Sequence, residues 1–153
     1  RYSLSNSVTS EKMLQLAGKH TSGTITWMVG PKTMSDHIVP VINEAAKRAG
    51  RSVPRIIAGT PIVLTNDPDS AREKIAQGLT VYGQLPSYRK MLDREGVGGP
   101  ADLAIVGDER ALIDGVARLR EAGATEINAV IAEVDGGAFD RTFEFLASER
   151  KSL

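Results

Sequence analysis

The chain is predicted to be an α/β protein in which parallel strands are joined by helices. Short segments rich in β-branched residues, at 24–29, 54–65 and 127–132, alternate with helical segments of 10–15 residues. A strand, a helix and a second strand in this order favour a parallel sheet with right-handed crossovers. The length of 153 residues suits one domain with a buried core, so we assign residues 1–153 to a single domain.

The composition excludes several classes of function. Lys plus Arg equals Asp plus Glu, at 19 each, so no overall positive field attracts nucleic acid or an anionic membrane. The absence of cysteine excludes disulfides and thiolate metal sites, and no residues have the spacing of a metal cluster. No apolar run approaches the roughly 18 residues that span a bilayer. We therefore expect a cytoplasmic protein with a small-molecule substrate and without nucleic-acid, membrane or metal partners.

The first elements are a weak strand within residues 1–10 and a helix over 11–19. Ser10 is a suitable N-cap for that helix because its hydroxyl can accept a bond from a free helix amide. The run 24–29 follows, and its β-branched and aromatic residues predict a strand covered on both faces.

A longer helix is predicted from Thr33 to Gly50. Thr33 and Asp36 have capping-box spacing, with Asp in place of the usual Glu. Pro40 lies inside this helix, removes one backbone hydrogen bond and should bend it.

The segment 54–65 is predicted to be a strand interrupted at Gly59 and Pro61. A proline there argues for a bulge or a strand end, because it cannot donate to the ladder. Asp67 and Pro68 then form a strong helix start, as N-cap and first helical residue.

The last third of the chain is predicted to be mostly helical. A helix from Pro86 to Gly96 is followed by a break. We do not predict a strand at 103–106, because Gly107 and Asp108 cap a helix immediately afterwards. The remaining predicted elements are a helix ending near 122, a strand at 127–132 and a helix over 139–150.

Four segments, in this order and spacing, resemble a known family. They read LAGKHTSGTITWMVGP, PRIIAGTPIVLTNDPDSAR, LPSYRKMLDREG and AIVGDERALIDGVARLREAGATEI. Together they resemble the carboxyl-terminal half of luciferase-like oxidoreductases, in the branch that depends on the deazaflavin coenzyme F-420, and the likeness covers roughly residues 12–147. The resemblance implies half of a TIM (β/α)8 barrel of the bacterial luciferase-like type, from strand 5 to helix 8, with the first half absent.

The resemblance also implies a function. The whole protein would transfer a hydride between coenzyme F-420 and an organic substrate, with FMN as the alternative cofactor. The catalytic positions of the family lie in the absent half, so we assign no catalytic residue and expect this chain alone to be inactive. The alternative is a non-enzymatic half-barrel that serves as a folding or assembly module. The expected partner is a second copy, giving a homodimer, or a separate first half-barrel.

Coenzyme contacts are implied at the ends of two strands. Thr9 and Ser10 occupy the turn where the family holds the coenzyme phosphate, although Glu11 and the missing glycine depart from the family pattern. The flavin pocket is implied to be lined by the segment that ends strand 24–29, and the alternative is a strand that only fills the core. A lysine after this segment would contact phosphate by point charge, unless it is simply solvated. The residues assigned to the coenzyme here are Trp27, Met28, Val29, Gly30 and Lys32.

Three further residues are assigned to the mouth of the site. Arg89 would contact the coenzyme, and Tyr88 and His37 would contact the substrate. The alternatives are Tyr88 in the core, Arg89 in water and His37 as an exposed surface residue. Because ligands bind where parallel strands end, we expect Ser10, the Trp27–Gly30 segment and Lys32 to converge at one end of the sheet.

An open half-barrel should be costly as a monomer. Its first and last strands would leave backbone groups unpaired, and Ile25, Trp27, Ile57 and Val130 would lose part of their cover. We therefore predict that the chain pairs with a second copy, swaps elements or rearranges into a compact sheet with helices on both faces.

Overall fold

The computed structural model describes residues 10–149, and its centre is a four-stranded sheet. The strands are β1 (Gly23–Trp27), β2 (Arg55–Leu64), β3 (Ile105–Gly107) and β4 (Glu126–Ile131). Every pairing among these strands is parallel. This arrangement confirms the predicted fold class.

Helices connect the strands and continue the alternating order of the chain. A short π-helical turn, Met34–Ile38, joins two α-helical segments, and a 3-10 turn, Pro100–Leu103, precedes β3. The α-helices are α1 (Glu11–His20), α2 (Pro31–Thr33), α3 (Val39–Arg48), α4 (Pro68–Gly78), α5 (Thr80–Gln84), α6 (Pro86–Glu95), α7 (Glu109–Glu121) and α8 (Ala138–Glu149). None of the described helices is both long and apolar enough to cross a membrane.

Strand β2 organises the sheet because all three other strands pair with it. Ile62 is in register with both Ile105 of β3 and Ile131 of β4, so β3 and β4 lie on opposite sides of β2. Gly59 is likewise in register with Trp27 of β1 and with β4. Strands β1 and β3 therefore follow one another along one side of β2, and β4 occupies the other side.

The prediction that Pro61 interrupts its strand is wrong, because β2 runs without a break through it. The carbonyl oxygen of Ile62 accepts from Ala132 beyond β4, so the backbone groups of Pro61 point to the opposite side. On that side β1 has ended at Trp27 and β3 begins only opposite Ile62. The missing N–H of the proline therefore faces a gap between two strands and costs no ladder hydrogen bond.

The two faces of the sheet are covered by different helices. We call the face that carries Ile56, Ala58 and Ile62 the outer face, and it packs against helices α1, α3, α7 and α8. We call the opposite face, with Ile57, Gly59, Pro61 and Val63, the inner face. Helix α4 packs on its carboxyl-terminal end through Ala71 and Ile75, which form a second buried cluster with Val63. Helices thus lie on both faces, as one of the predicted rearrangements requires.

The rest of the inner face is open in the described structure. Ile25 and Ile57 are only partly buried, Asn128 is exposed, and Val130 keeps 41% of its surface. Strand β4 pairs with β2 alone among the described strands, which leaves its other edge unpaired. The amino-terminal part of the inner face therefore lacks the cover that the outer face has.

The helix predicted from Thr33 begins two residues earlier, at Pro31, with Gly30 as N-cap. The expected cap is wrong, since Thr33 is fully buried and its hydroxyl has no hydrogen-bond partner among the described residues. Pro40 follows directly on the π-helical turn, which changes the hydrogen-bond spacing just where the proline removes a donor. The expectation that no strand forms at 103–106 is also wrong, because the short strand β3 overlaps this segment.

Candidate functional site

The backbone changes direction at Met28, directly after β1. Met28 has a φ of 51°, in the left-handed region, and its amide donates to the carbonyl oxygen of Gly59 at 2.9 Å. In a regular strand Trp27 and Val29 would share a face. Here Trp27 lies on the inner face, whereas Val29 packs into the outer-face core. The left-handed residue costs about 1–2 kcal/mol, so this strand end stores strain, which is common at functional sites.

Trp27 borders a small apolar cleft on the inner face. The cleft has a volume of about 230 Å³, and residues of helix α4 form part of its wall. The indole Nε1 of Trp27 is buried and has no hydrogen-bond partner among the described residues. A buried tryptophan N–H usually has a hydrogen-bond partner, so this donor is an exception among residues 10–149. The cleft is lined by Trp27, Pro61, Lys74, Ile75, Gly78, Leu79, Val130, Ala132, Glu133 and Val134.

Three aromatic rings link Trp27 to the helices that follow α4. Tyr82 of α5 meets Trp27 edge-on, with centroids 6.4 Å apart and an interplanar angle of 64°. Tyr88 of α6 meets Tyr82 in the same manner at 5.1 Å and 82°. Such contacts add roughly 0.5–1.5 kcal/mol each beyond the area they bury. The structure thus brings Tyr88, a predicted substrate contact, near Trp27 through Tyr82, which sequence reasoning did not assign to the site.

The turn after β1 is held by a carboxylate from a distant helix. Oε1 of Glu95 accepts from the amide of Lys32 at 3.1 Å, and Oε2 accepts from the amide of Thr33 at 2.7 Å. A Cβ atom on Gly30 would overlap the Glu95 carboxyl group, so a larger residue there would displace this carboxylate. Sequence reasoning missed Glu95. The available signal was an acidic residue in the last turn of a helix, where the helix dipole disfavours negative charge.

The other residues assigned to this region differ in how far they are exposed to solvent. Met28 and Gly30 are buried, and the Lys32 side chain is exposed. His37 lies in the π-helical turn with 9% of its surface exposed, so the alternative of an exposed surface histidine is wrong. Its contact with substrate stays a prediction.

Arg89 fastens α6 to the loop that follows it. Its guanidinium donates to Oδ1 of Asp93 at 2.8 Å and to the carbonyl oxygens of Val97 and Gly98, both at 3.0 Å. The alternative of an arginine that only extends into water is therefore wrong. A coenzyme contact stays a prediction, and it has to involve N–H groups beyond these three bonds or replace one of them.

The predicted phosphate turn lies partly outside the described residues, because these begin at Ser10 and exclude Thr9. Ser10 starts α1, and its side chain makes no capping hydrogen bond in the described part of the chain. The adjacent Glu11 borders a cleft that it shares with Pro40. The convergence of Ser10 with the Trp27–Gly30 segment and Lys32 stays a prediction.

A larger cleft of about 790 Å³ lies where β2, β3 and β4 end. Asp67 and Asp108 line it, and each caps a helix: Oδ1 of Asp67 accepts from Ser70 at 3.2 Å, and Oδ1 of Asp108 accepts from Ala111 at 2.8 Å. Glu133, which lines the smaller cleft, likewise accepts from two amides at the start of α8. Helix starts that could bind an anion here are therefore occupied by the protein's own carboxylates.

The two arginines of this larger cleft, Arg110 and Arg141, are both paired with carboxylates. Arg141 makes two hydrogen bonds to Asp135, at 2.6 and 2.9 Å, and a third to the carbonyl oxygen of Leu64 at 2.7 Å. The hydrogen bonds from Arg141 hold the pKa of the Asp135 carboxyl below its usual value. No three His, Asp or Glu side chains among residues 10–149 are placed to hold a metal ion. The smaller cleft is the better candidate site, because it is bordered by Trp27, whose buried indole N–H has no partner among the described residues.

The geometry first defines a class: a parallel α/β sheet, open along one edge, with a cleft where its strands end. The sequence profile described as luciferase-like monooxygenase matches residues 5–126. This match covers most of the chain, which therefore belongs to the luciferase-like family. The resemblance inferred from the sequence is confirmed. No curated protein matches the chain.

Solved structures support the same fold. The coenzyme F420-dependent tetrahydromethanopterin reductase from Methanopyrus kandleri is 23% identical with a TM-score of 0.74, over 93% of this chain and 48% of that one. An F420-dependent secondary alcohol dehydrogenase is 20% identical with a TM-score of 0.62, over 79% and 40%. The oxygenating constituent of 3,6-diketocamphane monooxygenase from Pseudomonas putida is 17% identical with a TM-score of 0.64, over 89% and 44%. The chain thus spans less than half of each of these barrel proteins.

Proposed function

We propose that this chain is the carboxyl-terminal half of a luciferase-like oxidoreductase and that it binds a deazaflavin or flavin coenzyme on the inner face of its sheet. Family membership supports the class of enzyme. Two similar structures are named as F420-dependent, and a third was solved with FMN. The observation that carries the proposal is the buried N–H of Trp27, which borders the inner-face cleft and finds no hydrogen-bond partner within residues 10–149.

The cleft fits part of a coenzyme ring system. A deazaflavin or flavin ring is flat and largely apolar, with carbonyl oxygens at its edge that can accept a hydrogen bond from the Trp27 indole. The volume of about 230 Å³ is smaller than the roughly 300–1,000 Å³ of complete ligand pockets. A second half-barrel must therefore supply the rest of the pocket.

The coenzyme phosphate is assigned to the start of α1, at Thr9 and Ser10. The starts of α2, α4, α7 and α8 are held by Glu95, Asp67, Asp108 and Glu133, so their amides are engaged. The Ser10 side chain, in contrast, caps nothing in the described part of the chain. A helix amino terminus with free amides favours a phosphate, although the Glu11 carboxylate opposes it.

When bound, coenzyme F-420, or FMN as the alternative, exchanges a hydride with an organic substrate. The residues of this chain would orient the ring and keep water from it. Trp27 and Val130 supply apolar surface on the inner face, while the strained turn at Met28 fixes the end of the strand that carries Trp27. Catalytic groups are assigned to the first half of the barrel.

The same proposal assigns the partner. The open edge of β4 exposes Ala129 and Val130, and α8 presents two exposed stacked rings, Phe139 and Phe143, whose centroids are 6.1 Å apart. A parallel strand and helix from a first half-barrel would cover both features. Residues 1–153 then form one domain of a two-part barrel. Light scattering of the isolated chain should reveal a species larger than the 16.4 kDa monomer, because a second copy covers this edge when the other half is missing.

A second candidate is a non-enzymatic assembly module. It is favoured by α4, which already covers the carboxyl-terminal end of the inner face, and by the carboxylates that occupy several helix starts. In that case the chain would form the same interface but bind no coenzyme.

Coenzyme titration separates the two candidates. Purified F-420 and FMN are added in turn to the folded chain, and coenzyme fluorescence is followed. Trp27→Phe keeps an aromatic ring but removes the N–H, and it should weaken binding about 2- to 10-fold, the value of one net hydrogen bond. Arg110→Ala in the larger cleft is the control and should leave affinity unchanged. A folded chain that binds neither coenzyme would overturn the proposal in favour of the assembly module.

A further inference from the structure

Glu95 joins two parts of the molecule that are far apart in the chain. It ends α6, and its carboxylate accepts from the amides of Lys32 and Thr33, which lie 63 and 62 residues earlier. These amides belong to the first turn of the helix that follows β1. The contact therefore attaches the end of α6 to the turn between Trp27 and that helix.

Helices α5 and α6, which follow one another in the chain, are also attached to β1 at a second point. Tyr82 of α5 meets Trp27 edge-on, and Tyr88 at the start of α6 meets Tyr82. The aromatic row holds one end of the pair at the inner face, and Glu95 holds its other end at the Gly30 turn. The strand end that carries Trp27 is therefore clamped between two anchor points on α5 and α6.

The Glu95 anchor is specific in its geometry. Both carboxylate oxygens are used, one for each amide, and charge-assisted bonds of this kind are stronger than neutral ones. Gly30 leaves room for the carboxyl group where any side chain would overlap it. A carboxylate at the carboxyl end of its own helix is unfavourable for that helix. An acidic residue at position 95 is therefore explained by its hydrogen bonds to the turn after β1 and not by the stability of α6.

We propose that Glu95 is a positioning residue for the Trp27 cleft. Its carboxylate fixes the turn after β1 and keeps α5 and α6 docked, so that Tyr82 and Trp27 keep their edge-on contact. The inference rests on the proposed function only in one respect, namely that the ordered Trp27 side chain forms a wall of a coenzyme pocket. Docking of the helices is independent of any coenzyme.

Fluorescence provides a direct readout because Trp27 is the single tryptophan of the chain. Glu95→Ala should shift the native-state emission of Trp27 to longer wavelength, because undocking of α5 and α6 exposes the indole to water. Glu95→Gln keeps the size and one acceptor oxygen, and should shift the emission less. Asp93→Ala is the matched control, because it removes an acidic residue from the same helix. In the contacts described above, Asp93 binds only Arg89. It should leave the emission unchanged.

A double-mutant cycle tests the contact itself. Gly30→Ala should produce the same emission shift as Glu95→Ala, because the added Cβ displaces the carboxylate. In the Glu95→Ala background, Gly30→Ala should add little further shift, since the carboxyl group is already gone. Additive effects of the two changes, or an unchanged Trp27 emission in the folded Glu95 variants, would overturn the proposal.

Coenzyme affinity links the clamp to function. Glu95→Ala should weaken binding of F-420 or FMN about threefold to tenfold, comparable to the loss of a hydrogen bond, and Glu95→Gln should recover part of that loss. If the wild-type chain binds no coenzyme, the proposed function fails. The emission shifts and the double-mutant cycle still decide whether Glu95 positions Trp27, so the two failures are distinguishable.

Discussion

The two faces of the sheet differ although they are made by alternate residues of the same strands. On the outer face Ile62 is fully buried and Ile56 keeps only 2% of its surface. On the inner face Ile57 is only partly buried, and Val130 keeps 41%. The outer face is covered by the crossover helices that parallel strands require. On the inner face, among the described elements, helix α4 covers only the carboxyl-terminal end. The described helices therefore cover one face of the sheet and leave part of the other exposed.

The largest expected effect comes from truncating one side chain on each face. Ile62→Ala should cost about 2–5 kcal/mol of unfolding free energy, because it leaves a cavity in the buried outer-face core. Val130→Ala should cost less than about 1 kcal/mol, because the side chain is already well exposed. Urea unfolding of both variants measures the two costs. Equal costs would mean that the inner face is covered in solution.

A smaller effect is expected at Met28, where the chain passes from the inner face to the outer one. Met28→Ala and Met28→Gly both lose a buried side chain, but only glycine adopts the φ of 51° without strain. Met28→Gly should therefore be about 1 kcal/mol more stable than Met28→Ala. The control is Glu73, exposed within α4, where alanine should be the more stable of the two. The same order at both positions would show that Met28 is unstrained.

The smallest expected effect concerns Asp135, which follows β4 at the end of the sheet where both faces are covered. Arg141 lowers the pKa of its carboxyl in the folded protein. A lowered pKa contributes stability that is present above the unfolded value of about 3.9 and is lost as pH falls through the folded value. Asp135→Asn should therefore be less stable than wild type at pH 7, and the difference should shrink as pH falls below the unfolded value. Thermal unfolding from pH 7 to pH 3 measures it, and Arg141→Gln should abolish the effect of Asp135→Asn.

Much of the fold was predictable because it depends on local patterns. Alternating strands and helices predicted the parallel sheet, and Asp67 and Asp108 were identified as N-caps from their position before a helix. Pro61 was misjudged because its effect depends on the neighbouring strands rather than on its own segment. Strand β3 was not predicted because three residues are too few for a periodic pattern, and β2 supplies the pairing that orders them.

The candidate site was predictable only in part. The segment Trp27–Gly30 was assigned because it ends a strand, and Tyr88 was assigned through the family resemblance; their contacts with a ligand stay predictions. Tyr82 and Glu95 were missed, because their partners are tens of residues away in the sequence. Arg89 was assigned to the coenzyme, but the structure gives it partners in its own helix and the following loop.

The sequence by itself determined the secondary-structure order, the parallel topology and the family, since periodicity, capping residues and family motifs are all written along the chain. Tertiary structure alone decided which face each residue occupies after Met28, that the missing N–H of Pro61 meets a gap, and that Glu95 holds the turn after β1. These features depend on contacts between segments whose separation in the sequence carries no local signal. Packing selects among backbone conformations that the local sequence leaves close in energy.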